Sequence, residues 1–150
     1  MIEEKGSFRD PAGKIYYKNN KIFRKLSAQG TKRFLPLKES GIIDQSIKEG
    51  FLVGTKEILN EVHGERKKEE LILEHDKIPY ISYPYEWSFA QLKDAAIFHL
   101  DFHLFLLKHD ATLIDASAYN IQFIDSKLKF IDVLSIQKYV EGEYWKGHKQ

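Results

Sequence analysis

The chain has no cysteine, so it carries no disulfide framework, no thiolate zinc site and no thiol nucleophile, and an intracellular protein is favoured. It also lacks a charge of one sign. Its 23 basic and 22 acidic residues leave a net charge of +1, which implies no polyanion-binding surface and no nucleic-acid partner. Long hydrophobic runs are missing too. The longest apolar stretch, Ala95 to Leu107, is interrupted by His99, Asp101 and His103 and is too short and too polar to span a bilayer. Met1 to Gly6 has no apolar core of the kind a signal peptide needs. A cytoplasmic protein without a membrane partner is expected. Glycine is sparse, nine residues with no phosphate-cradling cluster, and Gly13 alone reads as a turn glycine.

What is present suits one ordinary domain: 150 residues, 43% of them hydrophobic, enough for a real core. Ile15 to Lys18 and Ile22 to Leu26 flank Lys18-Asn19-Asn20-Lys21. Asn tolerates the positive φ of a tight turn, so this pattern predicts a β-hairpin, entered by a turn over Phe8 to Gly13. Apolar residues at Phe34, Leu35, Leu37, Ile42, Ile43 and Ile47 predict a helix broken near Ser40-Gly41, or two short ones. Asn60 to Glu70, with its run Glu65-Arg66-Lys67-Lys68-Glu69-Glu70, reads as a solvated connector. Leu71 to His75 and Ile78 to Tyr83 predict a second hairpin across Asp76-Lys77.

The C-terminal half is patterned more sharply. Ser88-Phe89-Ala90-Gln91 has the form of a capping box and opens a helix to Leu107 or Lys108. Apolar residues on nearly every face predict that the second half of this helix is largely buried. Ile121 to Ile124 is expected to pair with Leu128 to Ile131 across Asp125-Ser126-Lys127, with Asp132 just beyond.

Asp115, Asn120 five positions later and Asp132 after the hairpin have the spacing of a protein-kinase-like phosphate and magnesium site. Phosphoryl transfer needs a carboxylate near the attacking hydroxyl and a carboxylate plus an amide oxygen on the metal. In this mapping Asp115 is the catalytic carboxylate, and Asn120 and Asp132 are metal ligands for Mg2+ with ATP. A phosphate-binding cation belongs on the strand before the first helix. Alternation puts Ile22, Arg24 and Leu26 on one face, so Arg24 is preferred to Lys25, with Glu39 as a candidate carboxylate partner. The fold class expected is α+β and kinase-like, a small lobe over about 7–83 and a partial large lobe over about 88–150.

Four segments carry a closer resemblance: Ser7 to Gly13, Tyr83 to Ser88, Leu113 to Phe123 and Phe130 to Ser135. Together they resemble the N-terminal region of bacterial class I SAM-dependent methyltransferases related to nodulation proteins. That resemblance implies a kinase-like N-terminal part followed by a Rossmann-type domain, where SAM would bind beyond Gln150. The chain itself contains no strand leading into a glycine-rich turn. With eighteen residues after Asp132, it is expected to be a fragment or minimal domain of a longer transferase.

Against an active kinase, Leu113 and Ile114 stand where His and Arg usually precede the Asp, Ser117 replaces the Lys, and Val133-Leu134 follows Asp132. The first reading is a nucleotide- and magnesium-binding module whose partners are a nucleotide or small-molecule substrate and the attached methyltransferase domain; the second is a non-catalytic, pseudokinase-like module that recognises a substrate or partner for an attached enzyme. The same residues also have purely structural readings, with Asp115 stabilising its loop, Asn120 a turn residue and Asp132 a strand-end cap. His99 and His103, four apart on a helix, lack the Glu of a His-Glu-x-x-His motif and read as packed histidines. Tyr83, Tyr85 and Trp87 are either an adenine-stacking hinge or packing over the central helix. Tyr144-Trp145 reads as an exposed aromatic end.

Overall fold

A computed structural model describes residues 2–4, 11–58 and 71–149, with Ile2 known in its backbone alone. The start of the expected entrance turn and the charged connector over 60–70 lie outside the described residues. Three short strands come first, β1 (Ile2–Glu3), β2 (Gly13–Lys18) and β3 (Lys21–Leu26), followed by two helices, α1 (Ala28–Glu39) and α2 (Ile42–Lys48). Next come β4 (Thr55–Ile58), β5 (Ile72–His75) and the long helix α3 (Phe89–Leu107). The chain then runs through β6 (Ala111–Leu113), β7 (Ile121–Ile124), β8 (Lys127–Phe130) and β9 (Ile136–Lys138). β1 to β5 form one antiparallel sheet in the order β1-β2-β3-β5-β4, while β6 pairs with β9 and β7 with β8.

Local chemistry sets most of these boundaries. Asn19 and Asn20 take positive φ of 49° and 62° between β2 and β3, as a two-residue hairpin turn demands. Ser27 caps α1 by accepting from the Gly30 amide at 3.2 Å. Gly41, at φ 78°, separates α1 from α2. At the start of α3, Ser88 Oγ accepts from the Gln91 amide at 3.3 Å while Gln91 Oε1 accepts from the Ser88 amide at 2.9 Å, a full capping box.

Three expectations need correction. Ile78 to Tyr83 forms no strand: β5 already has β3 on one side and β4 on the other, so neither edge is open to a hairpin partner. The turn between β7 and β8 is two residues, Asp125 and Ser126 at φ 48° and 64°, so Lys127 belongs to β8. The second half of α3 is not buried all round. Ile97, Leu100 and Leu104 are 47%, 51% and 56% exposed, while His99, Phe102, His103 and Leu106 face inward. Among the described residues, no helix is long and apolar enough to cross a membrane.

The core joins both halves of the chain: Leu26, Phe34 and Leu73 from the N-terminal part pack in one cluster with Phe102, Leu106, Ile121 and Phe130. Phe130 packs at a tilt against Phe102 at 5.4 Å and meets the His99 ring edge-on at 5.7 Å. Its backbone is equally committed, donating to Phe51 O at 2.8 Å and accepting from the Val53 amide at 2.9 Å. Those two bonds lock the end of β8 to the segment that leads into β4. They fix where Ile131 and Asp132 emerge relative to the five-stranded sheet.

Candidate functional site

Arg24, in the middle of β3, is 7% exposed, and burying a guanidinium requires a charged or strongly hydrogen-bonded partner. It finds one in Asp132: Arg24 Nη1 donates to Asp132 Oδ1. Asp132 also caps the short 3-10 turn Val133–Ser135, accepting from the Leu134 amide at 3.3 Å through Oδ1 and from the Ser135 hydroxyl through Oδ2. Burial alone would push this carboxyl up. Arg24, the Ser135 hydroxyl and the Leu134 amide outweigh burial and hold it below the usual carboxylate range. The cap reading and the site reading of Asp132 thus describe the same residue.

Asn120 enters through the hairpin register. Ile121 lies opposite Phe130, and the Ile131 amide donates to Asn120 O at 2.8 Å, so Asn120 sits beside the residue that precedes Asp132. Its Nδ2 is buried without a hydrogen-bond partner among the described residues. Asp115 joins the same group of loops, because the Ile114 amide donates to Ser135 O at 2.8 Å. Its own Oδ1 accepts from the Ser117 amide at 2.8 Å, a local turn that accounts for one carboxylate oxygen. Glu39 is exposed at the last position of α1. The carboxylate that the described ion pairs give Arg24 is Asp132, in place of the Glu39 partner expected.

A cleft of about 130 Å³ opens beside Arg24 and Ile131, and Asp132, Asn120 and Asp115 are not among the residues that line it. Ile15 and Tyr17 of β2, Arg24 of β3, Val53, Ile78 and Ile131 line it, together with one carboxylate, Asp76. The volume suits one ring-sized group and falls below the roughly 300 Å³ at which pockets for whole drug-sized ligands begin. His75 closes one end. Its Nδ1 lies 2.9 Å from Thr55 Oγ1, and burial, reinforced by Arg24 and opposed by Asp132, depresses its pKa to about 4. It is a neutral wall at physiological pH.

Sequence reasoning missed Gln122. This residue is 2% exposed, and its carboxamide accepts from the Ser82 amide at 2.9 Å and donates to Ser82 O at 3.0 Å. It holds the connector as a neighbouring strand would. Trp87 donates to Ser82 Oγ at 2.9 Å and packs edge-on against Phe123 at 5.0 Å, so it braces the connector from behind. Tyr83 and Tyr85 stack on each other at 5.4 Å on the outside. A lone polar residue in an apolar strand, Ile121-Gln122-Phe123, was the available signal. At the far end of the loop Trp145 is not a free aromatic. It stacks on His103 at 4.5 Å and donates to Leu113 O at 3.0 Å, while Tyr144 alone is 91% exposed.

Chemically, the floor is an internally neutralised ion pair beside a carboxamide. Whether it suits Mg2+ can be judged from the donors. No three of His, Cys, Asp and Glu converge as a metal set among the described residues. Asp132 already carries a guanidinium. Asn120's unpartnered buried atom is Nδ2, a donor that does not ligate a cation, which leaves its Oδ1 as the one group it could offer. The donor set does not fit a resident magnesium ion.

The same chain has a counterpart among known proteins. It resembles a nodulation protein. Over 149 residues it is 40% identical to nodulation protein NoeA of Rhizobium meliloti (strain 1021), a match that takes in 97% of this chain and 30% of that protein. The chain therefore spans less than a third of the length of this curated relative. No family model matches the sequence, and no solved structure matches it.

Proposed function

We propose that the chain is a kinase-like recognition module that binds a nucleotide, or a small molecule with a similar flat ring, and presents it to an attached methyltransferase region of a longer protein. The observation that carries this reading is the placement of Arg24 and Asp132. An antiparallel sheet in the order β1-β2-β3-β5-β4, with α1 following β3, roofs a cleft. A cation on β3 reaches from that roof to the aspartate that ends the β7–β8 hairpin. A kinase-like site uses these positions for its lysine on the third strand and its metal-binding aspartate. The 70% of the NoeA relative outside the match leaves room for the attached region.

Recognition is favoured over phosphoryl transfer by the residues around the floor. Leu113 and Ile114 precede Asp115, Asp115 commits one oxygen to the Ser117 amide, and no glycine-rich loop is present to cover phosphates. Thermal unfolding with ATP, ADP and adenosine tests the reading. A ligand at a hundredfold its dissociation constant stabilises a fold by about 2.7 kcal/mol, and Val53→Trp, which fills the cleft, should abolish the shift. Absence of any shift with all three ligands would refute nucleotide recognition.

A further inference from the structure

We infer that Arg24 stands in for the divalent cation, so that the cleft binds its ligand without metal. The inference rests on the recognition reading above for the existence of a ligand, but its central claim concerns only the Arg24–Asp132 pair.

Three observations converge on it. First, both oxygens of Asp132 are engaged, Oδ1 by Arg24 and the Leu134 amide and Oδ2 by the Ser135 hydroxyl, so a metal would have to share or displace these donors. Second, the charges around the floor are already balanced or positive. Arg33 of α1 donates to Leu134 O at 2.8 Å, which brings a second guanidinium to the turn that Asp132 caps. The helix that would carry an acidic partner for Arg24 offers only Glu39, exposed at its far end. Third, the other ionisable cleft groups form no ligand set with Asp132: among the described residues no three of His, Cys, Asp and Glu converge, and His75 Nδ1 is engaged by Thr55 Oγ1 at 2.9 Å.

A dication at Asp132 would sit next to a guanidinium, and among the described residues no group of three carboxylates and histidines converges to hold it. Hard oxygen-seeking ions such as Mg2+ are held by groups of carboxylates, carbonyls and waters, not by one carboxylate shared with a fixed cation. Arginine is suited to the substitution because its charge persists at any physiological pH and its fork fixes the carboxylate in one orientation. Asp132 then serves as a positioning residue that holds Arg24 in the wall of the cleft.

Divalent-ion binding to the 150-residue chain tests this directly. Mn2+, followed by water-proton relaxation, and Mg2+, followed by calorimetry, should show no saturable binding to the wild-type protein. Arg24→Met removes the built-in cation without removing bulk and should tighten Mn2+ binding at least tenfold, an effect that Asp132→Asn in the same background erases. Saturable Mn2+ binding to the wild type that Asp132→Asn abolishes would overturn the inference. So would a folded Arg24→Met protein that gains no affinity. If Arg24→Met fails to fold, the wild-type and Asp132→Asn titrations decide alone. ATP binding that is equal in EDTA and in Mg2+ supports metal independence, and binding that requires Mg2+ overturns it. No ATP binding at all refutes the nucleotide reading, while the Mn2+ titrations still decide whether Arg24 takes the place of a metal.

Discussion

Acidification from pH 7 to pH 5 should cost this fold a large share of its stability, through two histidines. His75 and His99 both have pKa values depressed from 6.5 to about 4, in each case first by burial. Arg24 adds to the effect at His75 and Asp132 opposes it; Asp115 opposes it at His99. The folded state therefore holds both rings neutral, while the unfolded chain protonates them near pH 6.5. The stabilisation is fully present above pH 6.5 and is lost as pH falls from there towards 4. A group with these two values loses about 2 kcal/mol between pH 7 and pH 5, so the pair accounts for about 4 kcal/mol. That is comparable to the total stability of a marginal domain. His99 supplies the clearer case, since it is 7% exposed and its Nε2 has no partner among the described residues. Urea unfolding at a series of pH values, in wild type and in a His75→Asn/His99→Gln variant, reads the effect. The wild-type midpoint should fall steeply below pH 6.5, and the double variant should show most of that slope removed. A double variant with the full wild-type slope would show that other groups carry the acid sensitivity.

Packing can be probed at two further places. Phe130→Ala empties a fully buried site between Phe102 and His99 and should cost about 3–5 kcal/mol in urea unfolding; a loss under about 1 kcal/mol would contradict the packing described. Gly30→Ala places a Cβ 2.0 Å from Ala12 O, so the backbone has to move, whereas Gly41→Ala meets open space and is strained only by its φ of 78°. Gly41→Ala should cost about 1–2 kcal/mol and Gly30→Ala more, and equal melting temperatures for the two variants would contradict that ordering.

The parts of the fold legible in the sequence are those fixed by neighbours in the chain. Asn19-Asn20 announced the first hairpin, Gly41 the break between α1 and α2, and Ser88 with Gln91 the start of α3, because each acts within one turn of backbone. Strands whose partners are distant were read less well. β4 and β9 went unseen: Thr55 to Ile58 and Ile136 to Lys138 are short, and their pairing with β5 and β6 is decided by tertiary contact. The exposure of Ile97, Leu100 and Leu104 was also hidden, since an apolar pattern shows what a helix offers and not which side is covered. Of the candidate site, alternation along β3 singled out Arg24, and the hairpin spacing singled out Asn120 and Asp132. The partner of Arg24 could not be read that way, because Asp132 lies 108 positions away and Glu39 was nearer in the chain.

Phe130 has a consequence for the order in which the molecule is made. Its backbone closes on Phe51 and Val53, about eighty residues earlier in synthesis. At about 5–20 residues per second, the chain between α2 and β4 waits several seconds on the ribosome before its partner emerges. During that interval Leu52 and Val53, only 1% and 4% exposed in the finished fold, have nothing from β8 to cover them. The Phe51–Val53 segment is therefore a late product, covered only when the hairpin arrives, and closure of a loop this long makes that step slow. A nascent chain arrested before residue 130 should be open to protease at the Phe51 segment, and one released after residue 138 should not.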